Sequence, residues 1–192
     1  YKNGIRLAVA SSSPYNDIVS SLKSLHILKY FEHLISGEEL PNPKPAPDIF
    51  LKALKVLGID AKETVVIEDS TAGVEAAKAA GIPCLGYINP DSGDQNLEHA
   101  FQLTDSFVDM KVSYFEHLLL RYHGKPITIA KTRRLTIREM TVADVASMYE
   151  IYQNPYVREF VDDIDDYLEI EEEKQKAYPI KISEEVIEGL KV

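Results

Sequence analysis

The sequence predicts an α/β fold in which a parallel sheet carries helices on both faces, followed by a smaller α+β segment. Up to about residue 122, short apolar runs alternate with helical patterns, which is typical of parallel sheets. Two of these runs end in clusters of polar side chains, serines in one and acids in the other. Near residue 135 the pattern changes to a new strand followed by a helix.

The first predicted strand, Ile5–Ala10, runs directly into three hydroxyl side chains, Ser11, Ser12 and Ser13. Pro14 then opens a helix predicted over Tyr15–Leu25. Hydroxyl groups and backbone N–H groups at a strand end that leads into a helix N-terminus suit a phosphate group. We therefore expect an anion site at this strand end.

One lysine of the sequence lies between two prolines, in the order Pro43, Lys44, Pro45. A predicted helix, Asp48–Leu57, follows shortly afterwards. Proline fixes φ, so the backbone presents Lys44 in a restricted geometry. A lone lysine is usually a solvated charge, but the position of Lys44 between the serine cluster and the acid cluster favours a role with an anion.

The acid cluster, Glu68 and Asp69, ends the predicted strand Thr64–Glu68. Ser70 is the expected N-cap of the next helix, Ala72–Ala80, which Gly81 closes. Open α/β sheets bind ligands at the carboxyl ends of their strands, and an unpaired carboxylate there is costly. We therefore expect a cation beside the acids, although two acids alone fit a solvated strand end equally well.

The rest of the sequence pattern predicts how the chain divides into domains. These are residues 1–122, a connector over 123–134 in which residues 127–129 fit a short strand, and residues 135–192. Further strands are predicted near Leu34–Ser36, at Pro83–Tyr87 and near Ser106–Val108, and further helices at Leu97–Leu103 and Tyr114–Tyr122.

The order of the serine-tipped strand, the segment KPAPDIF and the segment VVIEDSTAGVEAAKAAG resembles the haloacid dehalogenase (HAD) superfamily. Within it, residues 5–122 resemble the β-phosphoglucomutase-like phosphatases. The resemblance implies a Rossmann-like sheet and a Mg²⁺-dependent phosphatase or phosphomutase. Its substrate would be a small phosphate ester such as a sugar phosphate, and its intermediate a phosphoaspartate.

The same resemblance implies the roles of the polar side chains. Ser11 would bind the transferring phosphoryl group, and Lys44 would balance the charge of that group and of the nucleophile. The implied phosphate ligands are Ser11, Ser12, Ser13 and Lys44, and the implied Mg²⁺ ligands are Glu68 and Asp69. Adjacent acids favour phosphoryl transfer over halide chemistry, because the dehalogenase branch uses no metal.

The chain departs from this family at its beginning. The family's nucleophile is the first aspartate of a D-x-D motif, after which a cap domain follows, and neither precedes Ser11. The D-x-D spacings at 163–166 follow no suitable apolar strand, and Tyr1–Gly4 resembles the end of a helix. We therefore expect a fragment that is inactive alone and needs the missing N-terminal part or another chain. The alternative is a non-catalytic, partner-dependent module, including a homo-oligomer joined through its unpaired sheet edge.

Residues 135–192 resemble the start of a GCN5-related acetyltransferase (GNAT), with a strand at Leu135–Arg138 and a helix from Thr141 to Ile151. The family's pyrophosphate loop needs glycines, and only Gly189 follows Gly124. Acetyl transfer by this chain alone is therefore not expected, and a bifunctional hydrolase–acetyltransferase stays an alternative. The acidic run over 159–173 is interpreted as a solvated face instead of a calcium site, and a helix is favoured from Ser183.

Composition narrows the choice of partner. A formal net charge of -10 disfavours nucleic acid, whose phosphates the chain would repel. No apolar run approaches the roughly 20 residues that span a bilayer, so no membrane partner is expected. The only cysteine, Cys84, excludes an intrachain disulfide and is expected in a strand as a small apolar residue. These observations indicate a cytoplasmic protein.

Overall fold

The computed structural model describes residues 4–159, and the chain divides into two units, Tyr1–Lys125 and Pro126–Val192. The D-x-D spacings, all of the acidic run beyond Glu159 and the predicted C-terminal helix lie outside the described residues. Among the residues that the structure does describe, no helix is both long and apolar enough to cross a membrane.

The strands of the first unit are all parallel, as predicted, but they form two sheets. Strand β1 pairs with β2, and β4 lies between β3 and β5. Over residues 4–159 no ladder joins β1 to β3, so the two sheets are separate. The bounds are β1 Ala8–Ser11, β2 His33–Ser36, β3 Val66–Glu68, β4 Cys84–Tyr87 and β5 Gln102–Thr104.

Four helices accompany these strands, within one or two residues of their predicted bounds. Helix α2 packs against β1, β2 and α3, and α3 packs against β3 and β4. One buried cluster, which includes Ile35 of β2, Phe50 of α2 and Val74 of α3, therefore joins both sheets. The helices are α1 Tyr15–Ser24, α2 Asp48–Leu57, α3 Thr71–Ala79 and α4 Val112–Tyr122.

Two predicted elements near the end of this unit are wrong. The segment predicted as a helix over Leu97–Leu103 contains a turn followed by β5, and the strand predicted near Ser106–Val108 is loop. Sheet pairing overrides the local helical pattern here, because Phe101 N–H donates to Cys84 O at 2.8 Å. Gly86 of β4 permits this close approach, since a Cβ there would lie 2.7 Å from a Leu103 methyl carbon.

The second unit begins with a hairpin whose first strand lies inside the segment predicted as a connector, where residues 127–129 fit a short strand. Strands β6, Thr128–Lys131, and β7, Thr136–Arg138, are antiparallel. A short 3-10 turn capped by Thr141 leads into α5, Val145–Gln153, and α6, Pro155–Arg158, follows. The strand predicted at Leu135–Arg138 and the helix predicted from Thr141 are therefore present, while the resemblance to acetyltransferases stays a prediction.

Candidate active site

The predicted site residues converge at the carboxyl ends of β1 and β3. Ser11 ends β1, and Glu68 ends β3 with Asp69 directly after it. Lys44, from the loop before α2, joins the two strand ends. Its Nζ donates to Ala10 O of β1 at 3.3 Å and to the Glu68 carboxylate.

The serine cluster forms a turn supported by the end of β2. Ser11 Oγ accepts a hydrogen bond from Ser13 N at 3.1 Å, so its own hydroxyl hydrogen can be donated to a ligand. Ser36, which is only 5% exposed, donates from Oγ to Ser13 O at 2.8 Å. The next residue is Gly37, where a Cβ would lie 3.2 Å from Ser12 Cα. The end of β2 thus fixes the path of the serine turn, while Ser12 and Ser13 face solvent.

Lys44 is held on several sides. Its side chain is 9% exposed, and its Nζ lies 4.9 Å from the centroid of the Phe50 ring. The Lys44–Pro45 peptide bond is cis. A lysine ammonium carries three hydrogens, and those directed to Ala10 O and Glu68 leave one for a ligand.

Glu68 uses both carboxylate oxygens within the protein. Oε1 accepts from Lys44, and Oε2 accepts from Asp69 N at 3.1 Å, Ser70 N at 3.3 Å and Ser70 Oγ at 3.0 Å. Gly73 of α3 leaves room for this carboxylate, because a Cβ at Gly73 would overlap it. The arrangement makes Glu68 the partner of Lys44. A role of Glu68 as a metal ligand stays a prediction.

Asp69 has a different environment. Its Oδ2 accepts from Ser92 Oγ at 2.6 Å and from Asn89 Nδ2 at 2.7 Å. These two hydrogen bonds, first Ser92 and then Asn89, lower the pKa of Asp69 below its ordinary value, and the charge of Lys44 adds to the effect. Desolvation opposes the decrease without cancelling it. Asp69 is therefore an ionised carboxylate at neutral pH.

The carboxylates at this edge fit a metal that is shared with a substrate better than a metal held by the protein alone. Among residues 4–159, no three His, Cys, Asp or Glu side chains cluster closely enough to hold an ion. Mg²⁺ needs no such cage, since proteins usually hold it through one or two carboxylates, water and substrate phosphate. Within the same residues, no other residue donates a hydrogen bond to Asp69 Oδ1, so that oxygen suits this use.

A small pocket of about 100 Å³ lies beside Lys44, between the serine turn and the loop before α2. Its lining includes Ser12, Gly37, Pro43 and Ile49. Pockets that enclose whole ligands measure roughly 300–1,000 Å³, so this one accepts a group of only a few atoms.

Four residues that support the site were not identified from the sequence: Ser36, Gly37, Asn89 and Ser92. The segment over 89–93 reads as a turn, which it is. This segment follows β4, which pairs in parallel with β3, so the two strands end at the same edge of the sheet. That position was the signal in the sequence that Asn89 and Ser92 would reach Asp69. Ser36 and Gly37 give no such signal until the pairing of β2 with β1 is known.

Serine, lysine and carboxylate side chains thus lie together at the carboxyl ends of parallel strands, an arrangement that resembles a HAD-like α/β unit. The comparisons agree, because residues 1–87 match the family model described as haloacid dehalogenase-like hydrolase. The chain is 44% identical over 78 residues to a phosphorylated carbohydrates phosphatase of Thermotoga maritima, covering 41% of this chain and 36% of that protein. Residues 1–87, which hold Ser11, Lys44, Glu68 and Asp69, are therefore similar in sequence to HAD-like hydrolases.

Solved structures show the same likeness. A β-phosphoglucomutase from Clostridium difficile superposes with a TM-score of 0.56 at 30% identity, over 64% of this chain and 52% of that one. CbbY from Rhodobacter sphaeroides, in complex with xylulose-(1,5)bisphosphate, superposes with a TM-score of 0.53 at 30% identity, over 56% and 49%. The chain thus spans about half the length of these two proteins and about a third of the phosphatase.

Proposed function

We propose that this chain carries the phosphate- and metal-binding part of a Mg²⁺-dependent phosphatase or phosphomutase acting on a small phosphate ester, a sugar phosphate by preference. The observation that carries the proposal is the position of Lys44, which is fixed between Glu68 and Ala10 O, the carbonyl of the residue before Ser11. The similarity to a phosphorylated carbohydrates phosphatase and to a β-phosphoglucomutase supports the choice of substrate class.

Each side chain then has one task. Ser11 donates its hydroxyl hydrogen to a non-bridging phosphoryl oxygen, with Ser12 and Ser13 as further donors. Lys44 balances the negative charge of the phosphoryl group and the nucleophile, and Glu68 keeps its ammonium in place. Asp69 ligates Mg²⁺, which, when bound, neutralises charge on the phosphoryl oxygens. Removing one such charge-stabilising group is expected to lower the rate about 100-fold or more.

The nucleophile is expected from outside the described residues. Glu68 is bound to Lys44, and Asp69 is assigned to the metal, so neither is placed to attack phosphorus. Over residues 4–159 the sequence contains no D-x-D motif at the end of an apolar strand. We therefore propose that the phosphoaspartate forms on an aspartate that these residues do not supply, and that this chain alone binds phosphate without turnover.

Phosphate binding tests the site. Titration of the chain with inorganic phosphate, followed by amide NMR, is expected to shift the signals of Ser11, Ser12 and Ser13. Ser11→Ala is expected to weaken the binding about tenfold, the loss of roughly one hydrogen bond to a charged group. The control is Ser24→Ala, because Ser24 Oγ donates only to Ser21 O at the end of α1. Unchanged affinity in Ser11→Ala would remove Ser11 from the site.

Turnover tests the missing nucleophile separately. The chain is assayed with glucose 1-phosphate and with p-nitrophenyl phosphate, with and without Mg²⁺, and no hydrolysis is expected. Hydrolysis that requires Mg²⁺ and is abolished by Asp69→Asn would confirm the phosphatase chemistry. It would also contradict the proposal that the nucleophile lies outside this chain.

A partner-dependent module remains the second candidate function, because β1 and β3 each have an edge that no described strand pairs with. Unpaired edges are sites of strand addition by another chain or copy. Size-exclusion chromatography with light scattering distinguishes the cases, since a monomer at high concentration would contradict self-association. The acetyltransferase-like segment and a cytoplasmic location stay predictions.

A further inference from the structure

The two oxygens of the Asp69 carboxylate are not equivalent. Oδ2 accepts two hydrogen bonds, from Ser92 Oγ at 2.6 Å and from Asn89 Nδ2 at 2.7 Å. Among residues 4–159, no other residue donates to Oδ1. A carboxylate with one oxygen saturated in this way presents the other oxygen alone to a ligand.

Asn89 and Ser92, the two donors to Asp69 Oδ2, have one hydrogen available for each of their hydrogen bonds. Asn89 Oδ1 accepts from Asp91 N at 3.1 Å, which turns the amide NH₂ of Asn89 toward Asp69. One hydrogen of that NH₂ goes to Asp69 and the other to Ser92 Oγ, at 2.7 Å. The hydroxyl hydrogen of Ser92 then points to Asp69 Oδ2. No donor hydrogen is shared, so Asp69, Asn89 and Ser92 form a closed triangle of hydrogen bonds.

The loop that carries Asn89 and Ser92 is anchored independently of Asp69. Gln95 Oε1 accepts from Thr71 N at 2.9 Å, at the start of α3, and Gln95 Nε2 donates to Ser92 O at 3.0 Å. Asn96 N donates to Thr71 Oγ1 at 2.8 Å. The loop is therefore fixed to the first turn of the helix that follows Asp69, and it can hold the carboxylate at a set angle.

We propose that Asn89 and Ser92 are positioning residues, which hold Asp69 so that Oδ1 alone binds the divalent cation. This inference rests on the proposed Mg²⁺ site. Monodentate binding suits Mg²⁺, which demands near-ideal octahedral geometry, whereas Ca²⁺ accepts bidentate carboxylates and larger coordination numbers. The clamp formed by Asn89 and Ser92 therefore favours Mg²⁺ over Ca²⁺.

The proposal predicts a loss of both affinity and selectivity when the clamp is removed. In Asn89→Ala and in Ser92→Ala, Mg²⁺ affinity is expected to fall about 10–100-fold, as for other partners of metal ligands. Ca²⁺ affinity is expected to fall less, because the released carboxylate can turn to bind Ca²⁺ through both oxygens. Ser92→Thr keeps the hydroxyl and is expected to restore the selectivity for Mg²⁺.

The experiment is Mn²⁺ binding to the full chain, measured by water-proton relaxation, with Mg²⁺ and Ca²⁺ as competitors. Asn96→Ala is the matched control for Asn89→Ala. It is the same change in the same loop, and its amide oxygen accepts from Glu98 N instead of touching Asp69. The ratio of Mg²⁺ to Ca²⁺ affinity is the decisive quantity, because a merely structural role would lower both affinities together.

The possible results distinguish the proposed metal site at Asp69 from the positioning role of Asn89 and Ser92. If the wild-type chain binds no Mn²⁺, or if Asp69→Asn binds it equally well, the proposed metal site itself is wrong, and the inference falls with it. If the wild-type chain binds Mn²⁺ through Asp69 while Asn89→Ala and Ser92→Ala keep its Mg²⁺ to Ca²⁺ ratio, only the positioning role is overturned. A changed ratio in both variants, with rescue by Ser92→Thr, supports it.

Discussion

The Lys44 ammonium donates to the Glu68 carboxylate at a position where the two side chains are only 9% and 10% exposed. Burying two charges costs desolvation energy, which their attraction and further hydrogen bonds must offset. Here Ala10 O, Asp69 N and both donors of Ser70 supply those further hydrogen bonds. Lys44 and Glu68 are therefore expected to stabilise the fold only when both are present.

The first prediction concerns the buried pair of Lys44 and Glu68. Lys44→Met or Glu68→Gln alone is expected to lower the free energy of unfolding by about 3–5 kcal/mol, because each leaves one buried group without its partner. The double variant is expected to lose clearly less than the sum of the two. Urea unfolding measures all three. Lys23→Met, at an exposed position on α1, is the control, and strictly additive losses would contradict the coupling.

Gly73 gives a second prediction, in which replacing a helical glycine by alanine lowers the stability of the fold. Gly to Ala inside a helix normally stabilises it by roughly 0.5–1 kcal/mol. Gly73 lies in α3, but a Cβ there would overlap the Glu68 carboxylate. Gly73→Ala is therefore expected to destabilise the chain by about 1–3 kcal/mol, the usual cost of overpacking. Thermal unfolding measures the change, and a raised melting temperature would show that Glu68 moves aside without cost.

The local sequence was enough to place Ser11, Lys44 and the two acids, because strand ends, prolines and N-caps are encoded over a few residues. The structure adds the contacts that form between residues far apart in the sequence. Glu68 and Asp69 are neighbours with the same charge, and nothing in the sequence indicates that one turns to Lys44 and the other to Ser92. Likewise, β5 forms because Phe101 pairs with β4, against the local helical pattern.

Asp69 and Ser92 give a prediction on pH. Because the folded chain lowers the pKa of Asp69, mainly through Ser92, ionised Asp69 stabilises the fold. This stabilisation is complete above the ordinary value of 3.8 and is lost as the pH falls through the lower folded pKa. Ser92→Ala is therefore expected to lower the free energy of unfolding by about 1.5–3 kcal/mol at neutral pH, and less in acid.

Urea unfolding of both proteins across the acidic range measures that difference. The gap between wild type and Ser92→Ala is expected to shrink below the ordinary pKa of an aspartate. Ser24→Ala, which removes a hydroxyl that donates to the Ser21 backbone carbonyl, is expected to show a gap that does not depend on pH. A gap for Ser92→Ala that stays constant through the acidic range would mean that Ser92 does not act through the charge of Asp69.

The thiol of Cys84 gives the last prediction. Cys84 begins β4 and is 3% exposed, and burial, followed by the charge of Glu68, raises its pKa to about 12. Thiolate is the reactive form, so the folded chain is expected to resist alkylation at about pH 8, where an ordinary cysteine is partly ionised. Since Cys84 is the only cysteine of the sequence, every modified thiol reports on it.

The measurement is the rate of labelling by iodoacetamide, with and without urea. Labelling of the native chain is expected to follow opening of the fold, so it accelerates sharply at urea concentrations that unfold the first unit. The matched control is Ser24→Cys combined with Cys84→Ser, which moves the one thiol to an exposed position at the end of α1 and is expected to react at once. Rapid labelling of Cys84 without urea would mean that β4 is not packed as described, and the register that carries Asn89 toward Asp69 would be wrong with it.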